Sequence, residues 1–131
     1  PYLTRKEVRS GIRLACQVKV REDIRIRMPE ELLNVKLFAA EVESTRSVAH
    51  DIKEVRFALQ PPPEISHKPG QYVQVQAPSP DGPVFRAYSI SSPVYEPRTV
   101  ELIVRLVPGG IGSTYIHNLN VGDDVTFTGP F

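Results

Sequence analysis

The sequence predicts an all-β fold, either a barrel or a sandwich, over residues 37–131. From Lys36 onward, short runs rich in Val, Ile, Phe, Tyr and Thr recur with turn residues between them, which is the pattern of such folds. Thirteen prolines and eight glycines divide the chain into short pieces. Only one stretch of this region has the pattern of a helix.

Six strands are predicted. In the fifth, Val100, Leu102, Val104 and Leu106 point one way, with Glu101 and Arg105 on the other face. One face of that strand is therefore expected to be buried and the other wetted. Prolines at 61–63 end the second strand, and the turn residues 81–83 precede the fourth. The predicted strands lie near 37–47, 54–59, 72–76, 84–90, 99–107 and 124–128.

The predicted helix covers residues 113–119. It follows a glycine-rich turn, and Ser113 or Thr114 is available as its N-cap. Residues 120–124 end it. A helix of about two turns has little stability of its own, so we expect it to dock on the barrel.

Residues 1–36 differ from the rest. They carry nine Lys and Arg against five Asp and Glu, whereas residues 37–131 carry seven against ten. Thr4 begins a predicted helix, and residues 13–20 and 24–28 have patterns that suggest strands. Because this segment is too short to bury a core, we interpret it as an appendage or a domain remnant.

Composition excludes several classes of function. The net charge is only +1, and the sequence lacks the strong basic patch that is typical of nucleic-acid-binding proteins. The longest apolar runs, such as residues 102–104, are too short to span a bilayer. A single cysteine excludes an internal disulfide framework and fits a reducing compartment.

The stretch 85–93 contains the first candidate site. Arg86 and Tyr88 are two residues apart, so on a strand they share a face. A guanidinium meets a phosphate through two parallel hydrogen bonds, and an aromatic ring stacks on a flavin. Ser89 follows with a hydroxyl and an N–H that reach the flavin edge in this interpretation. The alternative is an exposed Arg beside an ordinary strand Tyr.

The second candidate site is the stretch 108–114, which lies between a predicted strand and the predicted helix. Glycines let the backbone approach a ligand closely, and a helix N-terminus offers unpaired N–H groups to an anion. Ser113 and Thr114 add hydroxyl donors. The alternative is a flexible connection. The absence of a Lys and of a βαβ setting excludes a Walker loop and a dinucleotide-binding fingerprint.

Together the two stretches resemble the ferredoxin-reductase superfamily. Residues 86–89 match its Arg-x-Tyr-Ser motif, and residues 69–73 resemble the entry into its third strand. Residues 101–105 followed by 112–114 resemble its second flavin motif, and residues 129–131 resemble the run into its nicotinamide-binding domain. The resemblance covers about residues 37–131 in the family's order.

The resemblance implies a six-stranded antiparallel Greek-key barrel that binds FAD together with a following α/β domain. It places Arg86 at the pyrophosphate, Tyr88 on the flavin ring, Ser89 near the reactive nitrogen, and Val104 and Arg105 beside the ribityl and adenosine portion. The N–H groups of 112–114 complete the phosphate site. The full expected cofactor-binding set is Arg86, Ala87, Tyr88, Ser89, Val104, Arg105, Gly110, Ile111, Gly112, Ser113 and Thr114.

Residues 11–17 resemble the end of a plant-type [2Fe–2S] ferredoxin domain, in which Cys16 would be the last cluster ligand of a longer parent protein. Such clusters need four thiolates, so Cys16 holds no cluster in this chain alone. A ferredoxin domain followed by a flavin barrel is the domain order of the F subunits of Na⁺-translocating NADH:quinone reductases. Monooxygenase reductases share it. The runs 14–18 and 28–31 favour the quinone-reductase type.

The expected function is electron transfer from NADH through FAD to a [2Fe–2S] cluster, and from there to a quinone or protein acceptor. Its expected partners are an N-terminal ferredoxin domain, a C-terminal NAD-binding domain and subunits of a membrane reductase on the cytoplasmic side, with no nucleic acid. The chain is not expected to be competent alone. The alternatives are a monooxygenase reductase component, a flavin or nucleotide binder without redox turnover, and a docking module.

The remaining candidates are weaker. His50, His67 and His117 have no metal-ligand spacing and are expected at the surface or as capping residues. Ser91 and Ser92 lack an evident base partner. Residues 123–124 are interpreted as a turn into the last strand. No general acid or base is expected.

Overall fold

The structure is a computed structural model that describes residues 2–14, 17–27, 36–61 and 64–131. A short helix, α1 (Arg5–Arg9), precedes six strands and a second helix. The elements that follow are β1 (Lys36–Ala49), β2 (Ile52–Leu59), β3 (Tyr72–Ala77), β4 (Val84–Ser89), β5 (Thr99–Arg105), α2 (Ile111–Asn118) and β6 (Asp124–Gly129).

The six strands form one curled antiparallel sheet in the order β4-β3-β6-β1-β2-β5. Strands β1 and β2, and β3 and β4, are hairpins, whereas β6 lies between β1 and β3 through a long connection. The edge strands β4 and β5 approach each other without pairing, and α2 contacts both. The predicted six-stranded antiparallel fold with a short docked helix is confirmed, and its seam lies between β4 and β5.

The core fills the inside of this sheet. The alternation predicted for β5 is confirmed, because Val100, Leu102 and Val104 are buried. The rings of Phe38 and Phe127 stack at 5.5 Å between centroids. The other large buried side chains come from β1, β2, β3, β5 and α2, and from the segment between β2 and β3: Phe57, Ile65, Leu102, Ile116, Val42, Val55, Val73, Val75 and Val100.

The first segment agrees only in part with the prediction. Thr4 caps α1 as expected, with its hydroxyl accepting from Glu7 N at 3.3 Å and the Glu7 carboxylate accepting from Thr4 N at 2.7 Å. The strands predicted at 13–20 and 24–28 are wrong for the described residues, which form no strand there. Alternation alone gives no strand without a partner, and these side chains are mostly exposed. Cys16 and residues 28–31 lie outside the described residues.

Neither α1 nor α2 is long and apolar enough to cross a membrane, within the residues that the structure describes. The boundary between residues 36 and 37 stays a prediction.

Candidate functional site

Strand β4 presents Arg86 and Tyr88 on one face, as predicted. In its pairing with β3, Arg86 lies opposite Val75 and Tyr88 opposite Val73. Directly paired residues of antiparallel strands share a face, and both valines are buried. Arg86 and Tyr88 therefore extend from the inner side of an edge strand, at the seam that α2 covers.

Helix α2 begins at Ile111, with Gly110 as its N-cap and no side-chain capping bond. The predicted N-cap at Ser113 or Thr114 is wrong, because the helix starts earlier and the Ser113 hydroxyl is used elsewhere. That hydroxyl accepts from Val107 N at 3.0 Å and lies 3.2 Å from the carbonyl of Gly110. It closes the turn that connects β5 to α2 rather than facing a ligand.

The first turn of α2 leaves backbone donors free. Thr114 N–H makes the first helical bond, to the carbonyl of Gly110 at 3.0 Å. Among the hydrogen bonds of the described residues, the N–H groups of residues 111–113 have no acceptor. Such a cluster of donors at the positive end of the helix dipole favours an anion.

Gly112 brings this helix end against β4. A Cβ at Gly112 would lie 2.5 Å from Tyr88 Oη, 2.7 Å from Arg86 Cγ and 2.9 Å from Arg86 Cβ. Because Arg86 Cβ is fixed by the strand, no side chain fits here without moving β4 from α2. The missing side chain is what joins the two candidate stretches into one site.

The two stretches line a groove of about 270 Å³. Its charged lining residues are Arg86 on β4 and Arg105 on β5, and no lining residue is acidic. The full lining is Arg86, Ala87, Tyr88, Arg105, Val107, Gly110, Ile111, Gly112 and Ser113. A larger groove of about 520 Å³ lies at the β3–β4 turn, where the only charged lining residue is Asp124. The smaller groove is the candidate site because cations and free N–H groups converge there.

Arg86 is available to a ligand. Its Nη1 donates to the neighbouring carbonyl of Phe85 at 2.9 Å, and it forms no ion pair with any described residue. Burial raises the pKa of the Tyr88 phenol, while the nearby charge of Arg86 lowers it in part. The phenol therefore stays neutral at physiological pH and offers its ring and a hydroxyl.

Arg105 already has a partner. Its Nε donates to Asp51 Oδ2 at 2.7 Å, which lowers the pKa of that carboxyl. Val104, next to it, has its side chain in the core, and its carbonyl lies 3.0 Å from His117 Nε2. Both contacts hold the end of β5 against its neighbours.

Three predicted ligand residues lie outside the groove lining. Ser89 is exposed and pairs with Tyr72, Val104 faces the core, and Thr114 is exposed on α2. Their contacts with a cofactor stay predictions. Sequence reasoning missed Val107, a half-exposed apolar residue of the lining. The signal available in the sequence was its position at the end of the predicted strand 99–107, directly before the glycine-rich stretch.

Among the weaker candidates, His67 differs from the prediction. It is buried rather than at the surface, with Nε2 3.2 Å from the carbonyl of Ser92 and Nδ1 without a partner in the described residues. His50 is exposed, and His117 lies in the last turn of α2. Asp123 accepts from Asn120 N at 2.8 Å, which confirms the predicted turn. No group of three or more metal-binding side chains occurs in the described ranges.

The model of the oxidoreductase FAD-binding domain family matches residues 39–131. A relative from Shewanella putrefaciens, the F subunit of a Na(+)-translocating NADH-quinone reductase, is 34% identical over 166 residues, covering 99% of this chain and 55% of that protein. The chain thus spans about half of the relative's length.

Two solved structures are also similar. The Amycolatopsis cytochrome P450 reductase is 29% identical and has a TM-score of 0.65, with 98% of this chain and 39% of that chain covered. The ferredoxin reductase of carbazole 1,9a-dioxygenase is 28% identical and has a TM-score of 0.64, with 74% of this chain and 29% of that chain covered.

Proposed function

The chain belongs to the oxidoreductase FAD-binding domain family, and from this premise we propose that it holds FAD in the groove between β4 and α2 for electron transfer from NADH. The observation that carries the proposal is the convergence of Arg86, Arg105 and the free N–H groups of residues 111–113 on one groove without an acidic residue. The pyrophosphate of FAD carries two negative charges, which this donor set suits.

The shape of the site fits the same group. Because Gly112 has no side chain, the first turn of α2 packs against Arg86 and Tyr88, and its free N–H groups lie on the same groove as the guanidinium. Tyr88 is half-buried against the core and presents an aromatic face beside Arg86. The residues present therefore fit a group with an anionic middle and a flat aromatic end.

FAD, when bound, supplies the chemistry that accepts a hydride and releases electrons singly. This chain's own residues bind and orient it: Arg86 pairs with the phosphates, Tyr88 stacks on the ring, and Ser89 lies near the reactive edge. The family resemblance implies a place for Arg105 beside the ribityl and adenosine portion, but because it lines the same groove as Arg86, we assign it to the phosphates as well. Val104, near the end of β5, and Thr114, in the first turn of α2, contribute to FAD binding through the positions of these two elements. No side chain here needs to act as a general acid or base.

We extend the proposal to the longer protein. Residues 1–36 are the remnant of a [2Fe–2S] ferredoxin-like domain and a linker, with Cys16 as a cluster ligand there, and residues 37–131 are the flavin barrel. A C-terminal domain binds NADH, and the cluster passes electrons to a quinone or protein acceptor. The partners are then these two domains and subunits of a membrane reductase, on its cytoplasmic side. The 34% identity to the Shewanella relative, over 99% of this chain, supports this domain arrangement.

A second candidate is the reductase component of a monooxygenase. The alignment with the Shewanella relative runs over 166 positions for a chain of 131 residues, so at least 35 positions have no residue in this chain. The Amycolatopsis cytochrome P450 reductase covers 98% of the chain, which favours this candidate.

The first experiment is the visible absorption spectrum of the purified chain after incubation with excess FAD and desalting. Retained flavin bands support the FAD site, whereas a colourless protein, both as this chain and joined to its NAD-binding domain, would contradict it. A docking module would bind no FAD, and a passive binder would hold FAD that NADH does not reduce once that domain is joined. Rates with a soluble quinone and with a protein acceptor then separate the two reductase types.

A further inference from the structure

Asp51 holds the end of β5 through two contacts. Its main-chain carbonyl accepts from Leu106 N at 2.7 Å, and its carboxylate accepts from Arg105 Nε at 2.7 Å. Asp51 lies in the turn between β1 and β2, and its side chain is 21% exposed, against 77% for Arg105. The carboxylate is therefore the fixed member of this pair, and the arginine is the side chain that it holds.

The geometry of the bond leaves Arg105 able to bind a second anion. Only Nε donates to Asp51, and neither Nη nitrogen has an acceptor among the described residues. Because the guanidinium is planar with five N–H donors, fixing Nε also limits where the two Nη groups point. Arg105 lines the groove from β5 while Arg86 lines it from β4.

We propose that Asp51 is a positioning residue of the FAD site, which holds the guanidinium of Arg105 so that its free edge meets the cofactor phosphates opposite Arg86. This inference rests on the proposed function. It predicts an effect opposite in sign to simple electrostatics, since a carboxylate near an anion site repels the anion. If Asp51 only neutralised Arg105, its removal would strengthen binding.

The test is the FAD dissociation constant, measured by flavin fluorescence for the wild-type chain, Asp51→Ala, Asp51→Asn, Arg105→Ala and the double variant Asp51→Ala/Arg105→Ala. Asp51→Ala is expected to weaken binding by about 2- to 5-fold, the scale of an exposed ion pair. Asp51→Asn keeps an acceptor oxygen and is expected to lie between that variant and the wild type. In the Arg105→Ala background, removing Asp51 is expected to change nothing further.

Glu54→Ala is the matched control, because Glu54 also pairs with an arginine of this hairpin, Arg46, at 2.7 Å but lies outside the groove lining. It should leave FAD affinity unchanged. The inference is overturned if Asp51→Ala and Asp51→Asn bind FAD as tightly as the wild type or more tightly. It is also overturned if Asp51→Ala weakens FAD binding as much in the Arg105→Ala background as in the wild type. Either result leaves the FAD site itself standing. A protein that binds no FAD, both as this chain and joined to its NAD-binding domain, overturns the proposed function and the inference with it.

Discussion

The ammonium group of Lys53 donates to the carbonyl of Leu119 at 2.6 Å, and also to that of His117 at 3.0 Å, so β2 holds the C-terminal end of α2. A cation at this end of a helix satisfies free carbonyls and opposes the negative pole of the helix dipole. Partial burial lowers the pKa of Lys53, but these acceptors and Asp123 favour its charged form. The contact fixes α2, whose other end forms the candidate site.

Lys53→Met is expected to lower the free energy of unfolding by about 1 kcal/mol, because it keeps the aliphatic stem and removes two charge-assisted hydrogen bonds from a partly exposed site. Urea denaturation measures this loss. Lys68→Met is the control, since Lys68 is exposed and its side chain makes no bond with the described residues. Equal stability of the Lys53 variant and the wild type would show that packing alone holds α2.

Arg86→Ala is expected to weaken FAD binding by about 2–4 kcal/mol, the scale of a lost charge-assisted contact in a desolvated site. Arg86 has no ion-pair partner among the described residues, so its removal leaves no carboxylate unpaired and the fold should hold. Titration calorimetry measures the affinity, with Arg46→Ala as an exposed control. An unchanged dissociation constant would remove Arg86 from the site.

Tyr88→Ala is expected to weaken FAD binding by about 1 kcal/mol, less than Arg86→Ala, and to change the spectrum of the bound flavin, because an aromatic neighbour is lost. Tyr88→Phe keeps the ring and should retain the wild-type spectrum. Tyr95→Ala is the control, as this side chain is 79% exposed and lies outside the groove lining. An unaltered spectrum of bound flavin in Tyr88→Ala would argue against stacking.

Gly112→Ala is expected to lower the free energy of unfolding by about 1–3 kcal/mol, because the added methyl group overlaps Arg86 and Tyr88. The loss in the free energy of FAD binding should be at least as large as the loss in the free energy of unfolding, because the methyl group separates Arg86 from the N-terminus of α2. Thermal unfolding and FAD titration measure the two effects. Asn118→Ala, an exposed change on the same helix, should affect neither, and full FAD affinity in Gly112→Ala would contradict this geometry.

The pair of Asp51 and Arg105 gives a pH dependence of known sign. The hydrogen bond from Arg105 lowers the pKa of Asp51 below its ordinary value of 3.8, so the folded state binds fewer protons than the unfolded state in this range. The stabilisation is present above pH 3.8 and is lost as pH falls through the lower, folded-state pKa. The stability difference between wild type and Asp51→Asn should therefore shrink in acid. Urea denaturation from about pH 6 to about pH 2.5 measures it, and a constant difference would contradict the pairing.

Sequence by itself determined the number and approximate positions of the strands and the two candidate stretches. Alternating residues such as Val100 and Leu102 specify which face of a strand is buried, and the spacing of Arg86 and Tyr88 specifies that they share a face. These are local properties of a chain with a period of two. The same reasoning failed for the described residues within 13–20 and 24–28, which form no strand although their sequence alternates.

Tertiary structure alone decided how the stretches meet. The start of α2 at Ile111 follows from a hydroxyl of Ser113 that bonds back to Val107, and the burial of His67 follows from packing against the Ser92 segment. The pairing of Asp51 with Arg105 joins residues 54 positions apart. Local sequence patterns contain no information about the spatial distance between such residues, because only the folded sheet brings their side chains together.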